Sequence, residues 1–387
     1  MTRPSVTVYD GFDVLPKECQ RVLEAAGSRD LYSSLAWYQN FTRTALDSDD
    51  RVRIYVTREE EGESGVALMA LRSKGLGGLA GRNELHSLSN YYSSLYGPVV
   101  APGTQRPGQL LQSLCVAITA ERPRWDFVRL GPMDRGNPLF SELISSLRAA
   151  GLMVQPYFCF GNWYLPVEGR SSSEYLATLP SQVRNTLRRK AKKLESSGRC
   201  RLTIVTGGVS LDDAIADYQR IYDASWKVPE PYPSFVPGLI RTCAGLGWLR
   251  LGLLYVDGEP AAAQIWIVNG KTASIYKLAY QEKFSELSVG TILTAHLMRQ
   301  VIDVDRVDTV DYLTGDDPYK RDWMSHRRER WGILALNPRT ARGAIGTLRH
   351  VVGRLVKRRI GGFLSRATER TADAAESTRS TSPNGHA

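Results

Sequence analysis

The chain has 387 residues, 42% apolar and 23% charged, with a net charge of +10. That length predicts two domains of about 150 residues each, and the composition is that of a globular protein and not a disordered one. No apolar run approaches the roughly 20 residues that span a bilayer, and the first eight residues lack the apolar segment of a secretory leader, so a cytoplasmic location is expected. The charge is weak support for a nucleic-acid partner, because residues 341–387 hold nine Lys/Arg against three Asp/Glu, +6 of the +10. The cysteines (Cys19, Cys115, Cys159, Cys200, Cys243) are odd in number and form no CxxC pair, and the histidines are scattered. Neither a disulfide framework nor a metal centre is expected.

In chain order, residues 30–165 read as an α/β unit. Ser34 is placed to cap a helix opening at Leu35. Val52–Thr57 and Gly65–Leu71 read as strands around the acidic turn Glu59–Glu63. Asn90–Tyr96 is a polar, aromatic loop that either packs on the surface or faces a substrate. Helices follow over Gly108–Thr119 and Pro138–Ala150, with strands at Asp126–Leu130 and Leu152–Phe160.

Beyond residue 168, Ser171 and Glu174 have capping-box spacing. The next helix carries a narrow apolar stripe of Val183, Leu187, Ala191 and Leu194. Six cations (Arg184, Arg188, Arg189, Lys190, Lys192, Lys193) fill its other faces, which suits either a solvated basic helix or a docking surface for phosphates. A strand at Arg201–Val205 and helices at Ser210–Trp226 and Val236–Ala244 lead to a meander of Trp248–Tyr255, Ala261–Val268 and Thr272–Tyr280. Its turns carry Asp257-Gly258 and Asn269-Gly270, strong hairpin signals. A loop at Ser288–Gly290, a helix over Thr291–Ile302 and a strand at Asp308–Leu313 make a parallel crossover on the meander. That brings a helix N-terminus, with its unpaired N–H groups, to the carboxyl end of a strand, where an anion can bind. Residues 341–367 alternate apolar and basic positions at helical spacing, which suits a helix packed on the body or lying on an anionic membrane; residues 367–387 read as disordered.

This order of elements resembles the GNAT acyltransferase fold. Leu179–Lys190, Tyr222-Asp-Ala-Ser-Trp-Lys227, Ile275-Tyr-Lys-Leu-Ala-Tyr280, Ser288-Val-Gly-Thr291 and Asp311–Lys320 resemble the CelD-like branch of bacterial GNAT proteins, associated with cellulose and polysaccharide biosynthesis and related to Fem-type aminoacyltransferases. The resemblance covers roughly residues 30–336. It implies an α/β (α+β) fold of two tandem GNAT-like domains with mixed central sheets. These would be residues 1–167, degenerate, and 168–337, the acyltransferase, followed by a basic amphipathic helix over 338–366 and a disordered tail over 367–387. The pyrophosphate loop departs from the usual family pattern in keeping one glycine, Gly290, and no basic residue.

The resemblance further implies acetyl-CoA or a longer acyl-CoA as co-substrate, held by Leu278, Ala279, Tyr280, Ser288, Val289, Gly290 and Thr291, and no metal. Asp311 is the expected general base, Tyr319 the group that protonates the departing thiolate, and Lys320 a further catalytic residue. Lys227, Lys277, Arg188 and Arg189 are the expected substrate-binding cations. Each has a plainer reading: Asp311 bonding backbone, Asp317 and Pro318 opening a helix, Lys320 in a surface ion pair, and Trp226, Trp266 and Trp323 in the core. The expected reaction is acyl transfer to an amine or hydroxyl of a cell-envelope saccharide, lipid or peptide. The alternatives are a transferase using aminoacyl-tRNA, and a non-catalytic scaffold of a polysaccharide-synthesis complex, with peripheral membrane contact through 341–366.

Overall fold

The computed structural model describes residues 5–58, 65–74 and 83–350. The acidic turn Glu59–Glu63, the tail over 367–387 and the C-terminal helix beyond residue 350 lie outside the described residues; residues 341–350 are helical.

Thirteen strands form one mixed sheet. They are β1 (Val6–Tyr9), β2 (Arg51–Arg58), β3 (Val66–Lys74), β4 (Glu84–Ser87), β5 (Val99–Val100), β6 (Phe127–Asp134), β7 (Met153–Pro166), β8 (Cys200–Val205), β9 (Leu249–Val256), β10 (Glu259–Asn269), β11 (Thr272–Tyr280), β12 (Thr309–Asp311) and β13 (His326–Leu336). Their order is β1-β2-β3-β4-β6-β13-β7-β12-β11-β10-β9-β8, with β5 beside β3.

The order contains the same series twice. In the first half an antiparallel run ends on β4, which pairs parallel with β6. In the second an antiparallel meander ends on β11, which pairs parallel with β12. Each half then closes antiparallel on the other's final strand: β6 pairs with β13, and β12 with β7. The exchanged strands pair with each other from Met153↔Leu336 to Tyr164↔His326. A strand predicted to end near Phe160 therefore runs on to Pro166.

Local chemistry sets the elements. Ser34 accepts from Trp37 N and caps the helix Leu35–Thr44, and Ser171 and Glu174 form a capping box. Asp257 and Gly258, both at positive φ, turn β9 into β10, the geometry a two-residue hairpin favours. The next turn is centred one residue later than expected, on Gly270-Lys271, because Asn269 pairs with Thr272. The helix after the meander starts at Val289 and passes into a π-turn at Gln300–Val304, and the strand that follows it is only Thr309–Asp311.

Three cores hold the sheet. One packs the helices Pro107–Ala120 and Pro138–Ala149 on the first half. Another packs Val289–Arg299 and the stripe Val183, Leu187, Ala191 and Leu194 on the second. The third is shared: Trp37 and Phe41 from the first half meet Phe235 of the second edge to face, and Tyr92 stacks on Phe235 at 4.0 Å. Such contacts add to the apolar area buried between the halves.

Candidate active site

β11 and β12 are hydrogen-bonded over three residue pairs, Thr272–Ser274 with Thr309–Asp311. From Ile275 onward β11 has no ladder partner on that side, and a split opens between the strands. β11 also carries a bulge there, since Ile265 pairs with Lys277 and Trp266 with Ile275, leaving Tyr276 unmatched. A bulge breaks side-chain alternation, so the neighbours Tyr276 and Lys277 both reach the first half: Tyr276 Oη donates to Tyr92 O (3.1 Å) and Lys277 Nζ to Tyr91 Oη (2.6 Å).

The split leads into a cavity of 230 Å³ whose walls include Lys227, Lys277, Leu278, Tyr319 and Lys320. Tyr91, Tyr92 and Ser94 close it from the first half, so the Asn90–Tyr96 loop packs and faces the cavity at once.

Three lysines converge here, and their partners differ. Lys277 is ion-paired to Glu230 at 2.6 Å. Lys320, 5% exposed, is paired to Asp317 at 3.1 Å and donates to Thr314 O, pinning the loop that leaves β12. Lys227 has no acidic partner among the described residues; its ammonium lies 5.6 Å from the Trp226 ring centroid. Burial, and then the charge of Lys277, hold the Lys227 ammonium below the ordinary lysine range. Burial likewise lowers Lys320, against the pull of Asp317. Burial, then Asp317, push the Tyr319 hydroxyl up to about 12, so it keeps its proton at neutral pH.

Glu230 was not foreseen from the sequence. It accepts from Tyr92 Oη at 2.8 Å and from Lys277. Burial acts to raise its carboxyl, but the Lys277 ammonium and the tyrosine hydroxyls prevail and hold it below the ordinary value. It lies in Val228-Pro-Glu-Pro231, a stretch without periodicity; two prolines fixing a lone acid was its only sequence signal.

Asp311 does not line the cavity that holds Tyr319 and Lys320, although its charge still reaches Lys320. Its carboxylate faces a neighbouring cavity of 190 Å³. It is ion-paired with Arg328 at 2.5 Å and accepts from Asn162 Nδ2 (2.6 Å) and Leu313 N (2.7 Å). Both side-chain partners come from the exchanged strands, so the geometry matches the plainer reading of Asp311 as a structural carboxylate. Of the tryptophans, Trp266 and Trp323 are buried, but Trp226 is 49% exposed and lies 4.5 Å from the Tyr280 ring.

At the far end of β11, Ser288 adopts φ 57, ψ 36 and makes no side-chain cap. Its hydroxyl instead accepts from Lys190 Nζ (3.0 Å), which also donates to Glu286 O (2.7 Å). The N–H groups of Val289, Gly290 and Thr291 are left without an acceptor among the described residues, an arrangement suited to phosphate oxygens. A Cβ on Gly290 would lie 3.3 Å from Tyr280 Cδ1, so a larger residue there would have to push the Tyr280 ring aside. Leu278 lines the cavity, whereas the side chain of Ala279 is buried in the shared core. Arg188 and Arg189 are exposed on the basic helix; Arg188 borders a separate cavity with Lys192 and Arg299.

Residues 181–321 match the acetyltransferase (GNAT) domain family. The solved structure of FemX superposes with a TM-score of 0.57 at 10% identity, covering 82% of this chain and 95% of that one. A conserved protein of unknown function from Bacteroides thetaiotaomicron superposes at 0.50 with 9% identity, covering 86% and 100%. A tandem GNAT protein from the clavulanic acid biosynthesis pathway gives 0.47 at 12% identity, covering 85% and 98%. No functionally curated protein matches in sequence. At such identities the likeness to FemX and the Bacteroides protein shows the fold alone. The match over residues 181–321 spans the helix, meander and split described above, and it supports an acyltransferase.

Proposed function

We propose that the split between β11 and β12 holds an acyl-CoA, and that the acyl group passes to an anionic acceptor seated against Lys227. The carrying observation is the unequal pairing of the three cavity lysines: Lys277 and Lys320 have acidic partners, and Lys227 has none. A half-buried ammonium with no carboxylate in ion-pair contact, only the more distant charges of Glu230 and Asp317, is well satisfied by an anion on the acceptor. The pyrophosphate would lie on the N–H groups of Val289–Thr291, with the acyl carbonyl reaching Leu278. There the unpaired edge of β11 offers backbone N–H groups to the oxygen that gains charge during transfer. Tyr319, protonated, donates to the departing sulfur, and Lys320 holds the loop that presents Tyr319. An acidic saccharide, lipid or peptide precursor of the cell envelope fits such an acceptor, as does action at the inner face of the membrane. Titration calorimetry with acetyl-CoA and longer acyl-CoAs tests the donor: saturable heat with at least one supports it, and no heat with any contradicts it.

A second reading has its own observation. The exposed cations of residues 184–193 lie beside the donor loop, tethered to it through Lys190. That surface suits the phosphates of an aminoacyl-tRNA. tRNA binding should then fall steeply with salt and be lost on reversing Arg188 and Arg189.

A further inference from the structure

The largest cavity described lies away from the split, on the other half of the sheet. It has a volume of 870 Å³ and sits between β4, β6 and β13 and the helical residues 341–350. Strand register explains its floor. β4 pairs with β6 so that Glu84 faces Phe127 and His86 faces Arg129. β13 pairs with β6 so that Leu336 faces Phe127 and Leu334 faces Arg129. Two rungs of three side chains therefore point to one face. The intervening residues Leu85, Val128, Ile333 and Ala335 point to the other face, into the core under the two first-half helices.

The roof is fixed at both ends. A Cβ on Gly343 would lie 2.0 Å from Asn337 O, in the chain just past β13, and one on Gly346 would lie 3.3 Å from Phe127 Cε1, so two glycines let the start of the helix lie close to the sheet and to the chain that leaves it. At the other end His350 Nε2 and Gln155 Oε1 are 2.8 Å apart. Arg342, Ile345 and Arg349, spaced three and four residues apart, share the helix face over the void.

The lining has two chemistries. Phe127, Leu334, Leu336 and Ile345 are apolar, while Arg129, Arg342 and Arg349 are cationic against a single acid, Glu84, which is held by His86 at 2.9 Å. Arg129 and Arg349 have no acidic partner among the described residues. The volume falls within the range of small-molecule sites, about 300–1,000 Å³. We propose that this cavity binds an anionic amphiphile: a phosphate or carboxylate head group on Arg129 and Arg349, with an apolar chain along Phe127, Leu334 and Leu336. A neutral chain would make no use of the charge of Arg129 and Arg349, which stand exposed at the cavity's edge, and a bare anion would leave the apolar floor wet.

Calorimetry on the full chain with dodecyl phosphate, inorganic phosphate and dodecyl maltoside tests this. Dodecyl phosphate should bind one to one, about tenfold or more tighter than either of the others, and R129Q and R349Q should each weaken it by about tenfold. Folding of both variants is checked by circular dichroism, and I345E should weaken binding through the apolar part independently of the arginines. Acyl transfer at the distant split should be unchanged in all three, so failure here is separable from failure of the donor reading. No binding of dodecyl phosphate, equal binding of the maltoside, or indifference to all three variants overturns the proposal. Sedimentation with phosphatidylglycerol but not phosphatidylcholine vesicles, lost in R129Q, identifies a bilayer lipid as the source. Binding of dodecyl phosphate without sedimentation identifies a soluble amphiphile.

Discussion

The two halves contain the same split and treat it in opposite ways. In the first, β4 and β6 pair over Glu84–His86 and Phe127–Arg129 and then part, as β11 and β12 do. That opening is filled. Ser87 and Ser89 donate to Gly131 O at 2.8 and 2.7 Å, and Tyr96 N donates to Pro132 O at 2.6 Å, drawing the 88–97 segment across the gap. The helix that follows begins with Pro107, which has no N–H to offer, and a Cβ on the next residue, Gly108, would lie 2.6 Å from Glu142 Oε2. A carboxylate already stands where an anion would bind. In the second half the gap is a cavity ringed by lysines, and the helix N-terminus is open because Ser288 is turned to Lys190. An equal topology thus gives a filled split and an open one, and the difference lies in a few side chains.

The comparison breaks most sharply at Lys227. K227M should lower kcat/KM for the acceptor by on the order of 10²-fold, mainly through KM, because a charged pairing is lost in a half-buried site. The charge also sets a pH limit. The ammonium is the binding form and its pKa is lowered, so it is fully present below that value and lost as pH rises through it, earlier than for an ordinary lysine. The alkaline limb of acceptor binding should move to higher pH in K227R, whose guanidinium stays charged. In the first half, the S87A/S89A double variant should cost about 1–3 kcal/mol of stability, read as a lower Tm, with acyl-CoA affinity unchanged. Y319F should reduce kcat by about tenfold with little change in KM. The smallest effect is expected of E142Q, which should leave acyl-CoA binding and turnover as they are; a new nucleotide site in that variant would undo the contrast.

The meander was legible in the sequence because its turns use Asp257-Gly258 and Gly270, and the helix starts because Ser34 and Ser171 cap them. The strand exchange was not legible. β7 and β13 alternate in the same way whichever neighbour they take, and their partners are far away in sequence. That is why Asp311 reads as a candidate base from its strand alone: Arg328 and Asn162, which occupy its carboxylate, arrive on the exchanged strands. The bulge at Tyr276 was equally hidden, and with it the turn of Lys277 toward Tyr91 and Glu230. Lys227, Tyr319 and Lys320, singled out from the sequence, all line the one cavity.

The most direct test is a crystal structure of the protein with coenzyme A. The account predicts the pyrophosphate on the N–H groups of Val289–Thr291 and the thiol between β11 and β12 beside Leu278, with the first-half split empty. Coenzyme A seated between β4 and β6, or bound anywhere that leaves the second split unoccupied, would contradict it.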